Sequence, residues 1–312
     1  MKSLWLTAAA TLALAACNAP ESTTPATDTP PATDAAGSET AATAPTLADI
    51  VAGDWRSDAE KARDVWRHPV ETLTFFGVKA DDTVVEIWPG NGWYTNILAP
   101  YLKSGNGQLI VTLFEPAVYA EDAERRDRAQ QRNDAFMAEY AADPETFGTL
   151  QQSAFPTLTG PLAPDGSVDV VLTFRNIHNW MSGDYSDSFF RDAYAALKPG
   201  GVLGVVEHRL PSSAEQDPRA ASGYVHEDFV KALAAAAGFE FVEASEINAN
   251  PTDTTDHPFG VWTLPPVSQT ADRDGNSIDG FDPDAYLAIG ESDRMTLKFV
   301  KPAEPAATDS ED

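Results

Sequence analysis

Between Val84 and Thr95 the chain reads Val-Val-Glu-Ile-Trp-Pro-Gly-Asn-Gly-Trp-Tyr-Thr, and no other stretch restricts the possible folds as much. Val84, Val85 and Ile87 are apolar and β-branched on both parities, the pattern of a strand covered on both faces. Glu86 places an acid at the strand's carboxyl end, where open α/β sheets hold ligands. Pro89, Gly90, Asn91 and Gly92 then break the strand. A helix opening near Tyr94 would present its positive end to whatever lies over that turn. Gly90 and Gly92 lack a Cβ, so backbone N–H groups there can approach a ligand closely. A single Gly-x-Gly also serves as an ordinary steric turn, so its meaning depends on its surroundings.

Those surroundings alternate. Apolar residues spaced by three and four, among them Trp55, Val65, Trp66, Leu73 and Phe76, predict helices over 54–76 with a break at Pro69. Strands are predicted at 83–87 and 108–114 around a helix at 93–102, which makes a right-handed βαβ unit. A polar helix over 117–142 and a weak strand at 148–152 come next. Further strands are predicted at 168–174, 202–207, 239–247 and 294–300, with helices at 186–197 and 225–237. Such alternation argues for a mostly parallel sheet with helices on both faces.

Charge and cysteine usage remove several function classes. With 48 acidic against 21 basic residues and a net charge of -27, the surface repels nucleic acid and anionic lipid head groups, and no basic run offsets this. The single cysteine forbids an intrachain disulfide and argues against thiol catalysis. The five histidines show no His-x-x-x-His pair, so no metal site is expected. The stretch from Asp272 to Asp279 spaces oxygens as a calcium loop does. Counted from Asp272, however, its glycine is fourth rather than sixth and the closing position is Pro283, which leaves a solvated acidic turn.

The first residues, Met1-Lys2 followed by an apolar run and Leu14-Ala15-Ala16-Cys17, resemble a bacterial lipoprotein signal. The resemblance implies cleavage after residue 16, lipidation of Cys17, and a place in the cell envelope with the membrane reached through the lipid alone. Residues 17–45, rich in Thr, Pro and Ala, are expected to act as a flexible tether. One domain spans 46–301, with an insertion at 248–293 before the last strand, and 302–312 forms an acidic tail.

Three motifs in order, Glu86-Ile87-Trp88-Pro89-Gly90-Asn91-Gly92, Pro164-Asp165-Gly166-Ser167-Val168-Asp169-Val170-Val171 and Leu197-Lys198-Pro199-Gly200-Gly201, resemble the class I S-adenosylmethionine-dependent methyltransferases. The resemblance implies a Rossmann-like, doubly wound α/β fold whose mostly parallel seven-stranded sheet has an antiparallel last strand. It implies S-adenosylmethionine as cofactor and a small molecule as methyl acceptor. Position by position, Glu86, Pro89, Gly90, Asn91, Gly92 and Tyr94 would hold the methionine moiety. Glu115 would accept both ribose hydroxyls, since a carboxylate offers two acceptors to a vicinal diol. Two departures stand out: Trp88 occupies a position usually held by glycine, and Ser153-Ala154 stands where an acid usually binds the adenine.

The cluster Arg175-Asn176-Ile177-His178-Asn179-Trp180 falls where this family lines the reacting methyl group. Asn176 would orient the cofactor or the acceptor, His178 would serve as general base, and Trp180 would wall the pocket. Glu207 and His208 end the next strand in the same crevice, with a Glu207–Arg209 ion pair as the simpler alternative. Export, though, separates the chain from the compartment in which the cofactor is made. A cell-envelope binding protein that kept the fold and lost the chemistry is therefore the rival reading.

Overall fold

The computed structural model describes residues 44–303. The signal, Cys17 and nearly all of the tether and tail lie outside them. Eight strands form: β1 (Thr83–Ile87), β2 (Gln108–Phe114), β3 (Gln151–Phe155), β4 (Val168–Phe174), β5 (Leu197–Leu210), β6 (Val225–His226), β7 (Glu240–Ser245) and β8 (Arg294–Val300). Seven run in the order β3-β2-β1-β4-β5-β8-β7, and short β6 adds in parallel to the end of β5. All neighbours are parallel except β8, which is antiparallel to both β5 and β7.

Four short helices precede the sheet: α1 (Leu47–Val51), α2 (Asp58–Lys61), α3 (Asp64–Arg67) and α4 (Pro69–Phe76). Helix α5 (Thr95–Ser104) follows β1; α6 (Ala123–Ala141) and α7 (Pro144–Phe147) follow β2. Helices α8 (Ile177–Gly183) and α9 (Ser186–Ala196) follow β4, α10 (Glu227–Ala236) follows β6, and α11 (Pro283–Ile289) precedes β8. The parity of the β1 run explains the layering. Val85 and Ile87 pack in one apolar cluster with Trp180 and Phe189, while Val84 packs in a second with Ile97 and Leu98 of α5. A strand with apolar residues on both parities needs cover on both sides and receives it.

Local chemistry moved several expected boundaries. The 54–76 stretch divides into three helices because Ser57 and Glu60 form a capping box at α2, and because His68, in the left-handed region, precedes Pro69 at the first position of α4. The expected 117–142 helix is a 3-10 turn at Pro116–Tyr119 followed by α6, whose start is set by the Asp122 carboxylate accepting from Arg125 N–H. The weak strand shifts to β3, registered against β2. The 202–207 strand extends back through Gly200-Gly201, where the backbone pairs with Lys301. The polar cluster after β4 becomes helix α8. In the acidic turn, Asp272 accepts from the backbone amides of Asp274 and Asn276 and from the Asn276 side chain, so the loop satisfies its own carboxylate.

Candidate functional site

The chain leaves β1 toward β2 on one side, and β4 lies on the other. A crevice therefore opens over the carboxyl ends of β1 and β4. Two non-glycine residues at its lips have left-handed backbone, Trp88 at φ +46° and Arg175 at φ +63°. Each such conformation costs about 1–2 kcal/mol and persists only where neighbours impose it. The neighbours here are Thr112 O, 2.8 Å from Trp88 N, and Val206 O, 2.7 Å from Arg175 N. Asn176 closes the crevice floor by donating from Nδ2 to Ile87 O across 2.9 Å.

The Pro89–Asn91 turn divides the crevice. On one side lies a cavity of about 710 Å³ between the turn, the end of β2 and α6, lined by Trp88, Leu113, Phe114, Asn133, Phe136 and Asn176 among others. On the other lies a cavity of about 280 Å³ bounded by His178, His208 and the segment before β8. The two glycines of the turn have different roles. A Cβ added at Gly90 (φ +63°) would meet nothing within 4 Å and would point into open space. A Cβ at Gly92 (φ +76°) would stand 2.0 Å from Tyr140 Oη, so this glycine is what lets α6 close against the turn.

Glu86 sits beneath the turn, 1% exposed, beside a small cavity shared with Gly90, Tyr94, Arg175 and Asn176. Its Oε2 accepts from Thr95 Oγ1 at 2.6 Å, while no protein hydrogen bond among the described residues reaches Oε1. Burial pushes this carboxyl up to about 7, although Thr95 and the Arg175 charge pull the other way. The folded state thus holds the proton more tightly than the unfolded chain. Stability from this group is complete below pH 4.5 and is lost as pH rises through about 7, in total about 3 kcal/mol. Glu86→Gln is expected to flatten that part of the stability profile, as read by urea unfolding from pH 5 to 8. A curve parallel to the wild type would show that the carboxyl is hydrated.

Across the turn, His178 and Glu207 form a dyad. Glu207 is fully buried; its Oε2 accepts from Ile177 N at 2.6 Å, and its Oε1 lies 2.8 Å from His208 N and 3.0 Å from His178 Nδ1. A carboxylate offers acceptors only, so Nδ1 of His178 is the donor, and in the neutral ring Nε2 carries the lone pair; the ring lines the smaller cavity. The His208 Nδ1 lies 2.6 Å from Ser292 Oγ. Burial, His178 and the nearby arginines hold His208 well below the usual histidine range.

No metal-ligand spacing links them along the chain, yet ligand atoms of His178, Glu207 and His208 lie within 4.8 Å of one another. The Arg175, Arg294 and Arg67 charges that depress His208 also oppose a dication there, and hydrogen bonds account for the Glu207 carboxylate.

Other expected site residues sit elsewhere. The two oxygens of Glu115 accept from Ala117 N and Thr159 Oγ1, and the side chain caps the Pro116–Tyr119 turn without lining either cavity. Ser153 Oγ is 2.7 Å from Thr112 Oγ1, and neither Ser153 nor Ala154 reaches the larger cavity. Tyr94 is the exception: it borders the small cavity beside Glu86 and stacks on Phe174 with ring centroids 3.5 Å apart. Trp180 is fully buried between Trp88, Phe155 and Phe189 and belongs to the core. Arg209 pairs with Glu246 and Asp293 instead of Glu207. Sequence reasoning overlooked Arg63, Arg67, Trp262 and Glu291, which line the smaller cavity from α2–α3 and the expected insertion, because tertiary folding alone brings these distant segments together.

No family model and no curated relative matches the chain. Among solved structures it is similar to the crystal structure of the [4+2]-cyclase SpnF, at TM-score 0.50 and 16% identity, over 81% of this chain and 85% of that one. The chain has this cyclase's Rossmann-like α/β fold. Other solved structures include a geranyl diphosphate methyltransferase in complex with SAM, at TM-score 0.45 and 13% identity over 82% of this chain and 90% of that one. A SAM-dependent methyltransferase from Aquifex aeolicus matches at TM-score 0.44 and 16% identity, over 65% of this chain and 93% of that one.

Proposed function

We propose that this protein transfers a methyl group from S-adenosylmethionine to a small molecule, and that a lipid on Cys17 anchors it in the cell envelope. The observation that carries the reading is the division of one crevice by the Pro89–Asn91 turn, with a free carboxylate oxygen of Glu86 beneath it and the His178–Glu207 dyad on its far side.

The residues present fit the cofactor's amino-acid end. Glu86 Oε1 would accept from its ammonium, Gly90 leaves room above the turn, and Asn176 presents an amide at the junction. The adenosine end would be held against Phe114, Asn133 and Phe136 of the larger cavity rather than by Glu115 or Ser153. When bound, S-adenosylmethionine supplies a methyl group already activated by the sulfonium charge. The protein's own share is alignment across the turn and acceptance of the acceptor's proton at His178 Nε2. Calorimetry of the purified protein with S-adenosylmethionine tests the reading. Gly90→Leu is expected to weaken binding at least about 100-fold, because the side chain fills the cavity; unchanged affinity would remove the turn from the site.

One observation favours the rival reading, a binding protein on the same fold. The Trp88 indole lies over the ends of β2 and β3, donating from Nε1 to Phe155 O at 3.0 Å and packing on Phe114 and Phe155, where the family's usual glycine would leave space. Transfer of tritiated methyl to an extract of small molecules separates the two: binding without transfer favours the rival.

A further inference from the structure

The wall of the smaller cavity nearest α3 is cationic. Arg63, Arg67 and Arg175 line it, with Arg294 directly behind. One carboxylate, Glu291, pairs with three of these four guanidiniums, at 2.7 Å from Arg63 Nε, 3.0 Å from Arg67 Nε and 3.0 Å from Arg294 Nη1. The other two nitrogens of Arg294 are also bonded, Nε to Ser292 O and Nη2 to Trp66 O. The other three keep donors to spare. Arg63 Nη2 and Arg67 Nη1 are buried without a partner, Arg67 being 2% exposed, and the Arg175 guanidinium makes no hydrogen bond among the described residues. Orphaned buried donors are rare in folded proteins and call for a partner. Glu86 borders a small cavity with Arg175 and feels its charge, but among the described residues no carboxylate other than Glu291 forms an ion pair with Arg63, Arg67 or Arg175. Trp262, Val261 and Leu264 add apolar lining to the same cavity, and Arg67 lies 4.7 Å over the Trp93 ring.

We propose that the small molecule taken up on this side of the turn is an apolar acid, its carboxylate held by Arg63, Arg67 and Arg175 and its carbon body laid against Trp262, Val261 and Leu264. Guanidinium forks match a planar carboxylate in geometry as well as charge, and an acid supplies the negative charge missing from the arginine group. As the identity of the methyl acceptor this rests on the function proposed above; as a binding site it stands without it.

The experiment is calorimetry of the full chain at pH 7 and constant ionic strength with three probes: benzoate, the neutral benzamide and inorganic phosphate. Benzoate is expected to bind one to one, phosphate at least tenfold more weakly, and benzamide without measurable heat. Arg175→Met should weaken benzoate at least tenfold, with partial recovery in Arg175→Lys. Because Arg294 repels Arg175 and burial disfavours its charge, Arg175→Met should also raise the melting temperature of the unliganded protein. A purely structural arginine would lower it. Equal affinity for benzoate and benzamide, tighter binding of phosphate, no benzoate binding, or an Arg175→Met variant that unfolds or binds benzoate normally would each overturn the proposal. Titrating S-adenosylmethionine into the same samples reports separately on the methyltransferase reading.

Discussion

Replacing Glu291 by alanine is expected to cost about 3–5 kcal/mol of folding stability, read as a lowered midpoint in urea unfolding at unchanged slope. Its carboxylate is the shared partner of Arg63, Arg67 and Arg294, whose side chains are 27%, 3% and 2% exposed. Removing it leaves two fully desolvated cations and a third half-buried one facing one another, which is the costly way to break a buried ion pair. The same residue sets an acid limit. Burial pushes the Glu291 carboxyl up, but Arg294, Arg67, Arg175 and Arg63 together outweigh it and hold it down at about 2. A depressed carboxyl contributes stability that is present above its unfolded value of 4.5 and is lost as pH falls toward 2, about 3 kcal/mol over that window. The alanine variant should lack this acid-dependent loss. A cost below about 1 kcal/mol would mean that water, not Glu291, neutralises the arginines.

The second large effect belongs to Glu207. Its oxygens accept from three donors, Ile177 N, His208 N and His178 Nδ1, and every one of them is an N–H. In Glu207→Gln the new amide must point its own N–H groups at one of those donors. We expect a loss of about 2–4 kcal/mol, from charge-assisted bonds exchanged for a buried donor–donor contact. Ile177 N opens helix α8, so the loss should appear as faster amide exchange across residues 177–183 before global unfolding. In the proposed reaction, His178 would also lose the partner that fixes its tautomer. Methyl transfer should then fall about 100-fold or more, with the pH profile displaced, while S-adenosylmethionine affinity stays within about threefold. Loss of cofactor affinity as large as the loss of rate would instead point to collapse of the whole crevice.

How much of this site was legible in the chain depends on how local each feature is. The turn after β1 is written in consecutive residues: two apolar parities, an acid, then Pro-Gly-Asn-Gly. The strand, the break and the helix followed within a residue or two. His178, Glu207 and His208 were nominated because strand ends carry them, and they do meet. What they do there was not legible. Glu115 looks like a free strand-end acid in sequence, but the 3-10 turn that follows it and Thr159 from a distant loop consume its oxygens. Trp180 looked like a pocket wall because it follows a polar cluster, yet the helix that cluster forms turns the indole into the core.

By itself, then, the sequence determined the class of sheet, where its strands fall along the chain and the place where its crevice opens, because periodicity, glycine and proline act over a few residues and need no partner. The tertiary structure alone decided the electrostatics of that crevice. Arg63 and Arg67 come from before the first strand, Arg175 from the sheet's centre and Glu291 from just before its last strand. Their surplus of positive charge exists only because folding packs those three segments around one small cavity, in a protein whose total charge is -27.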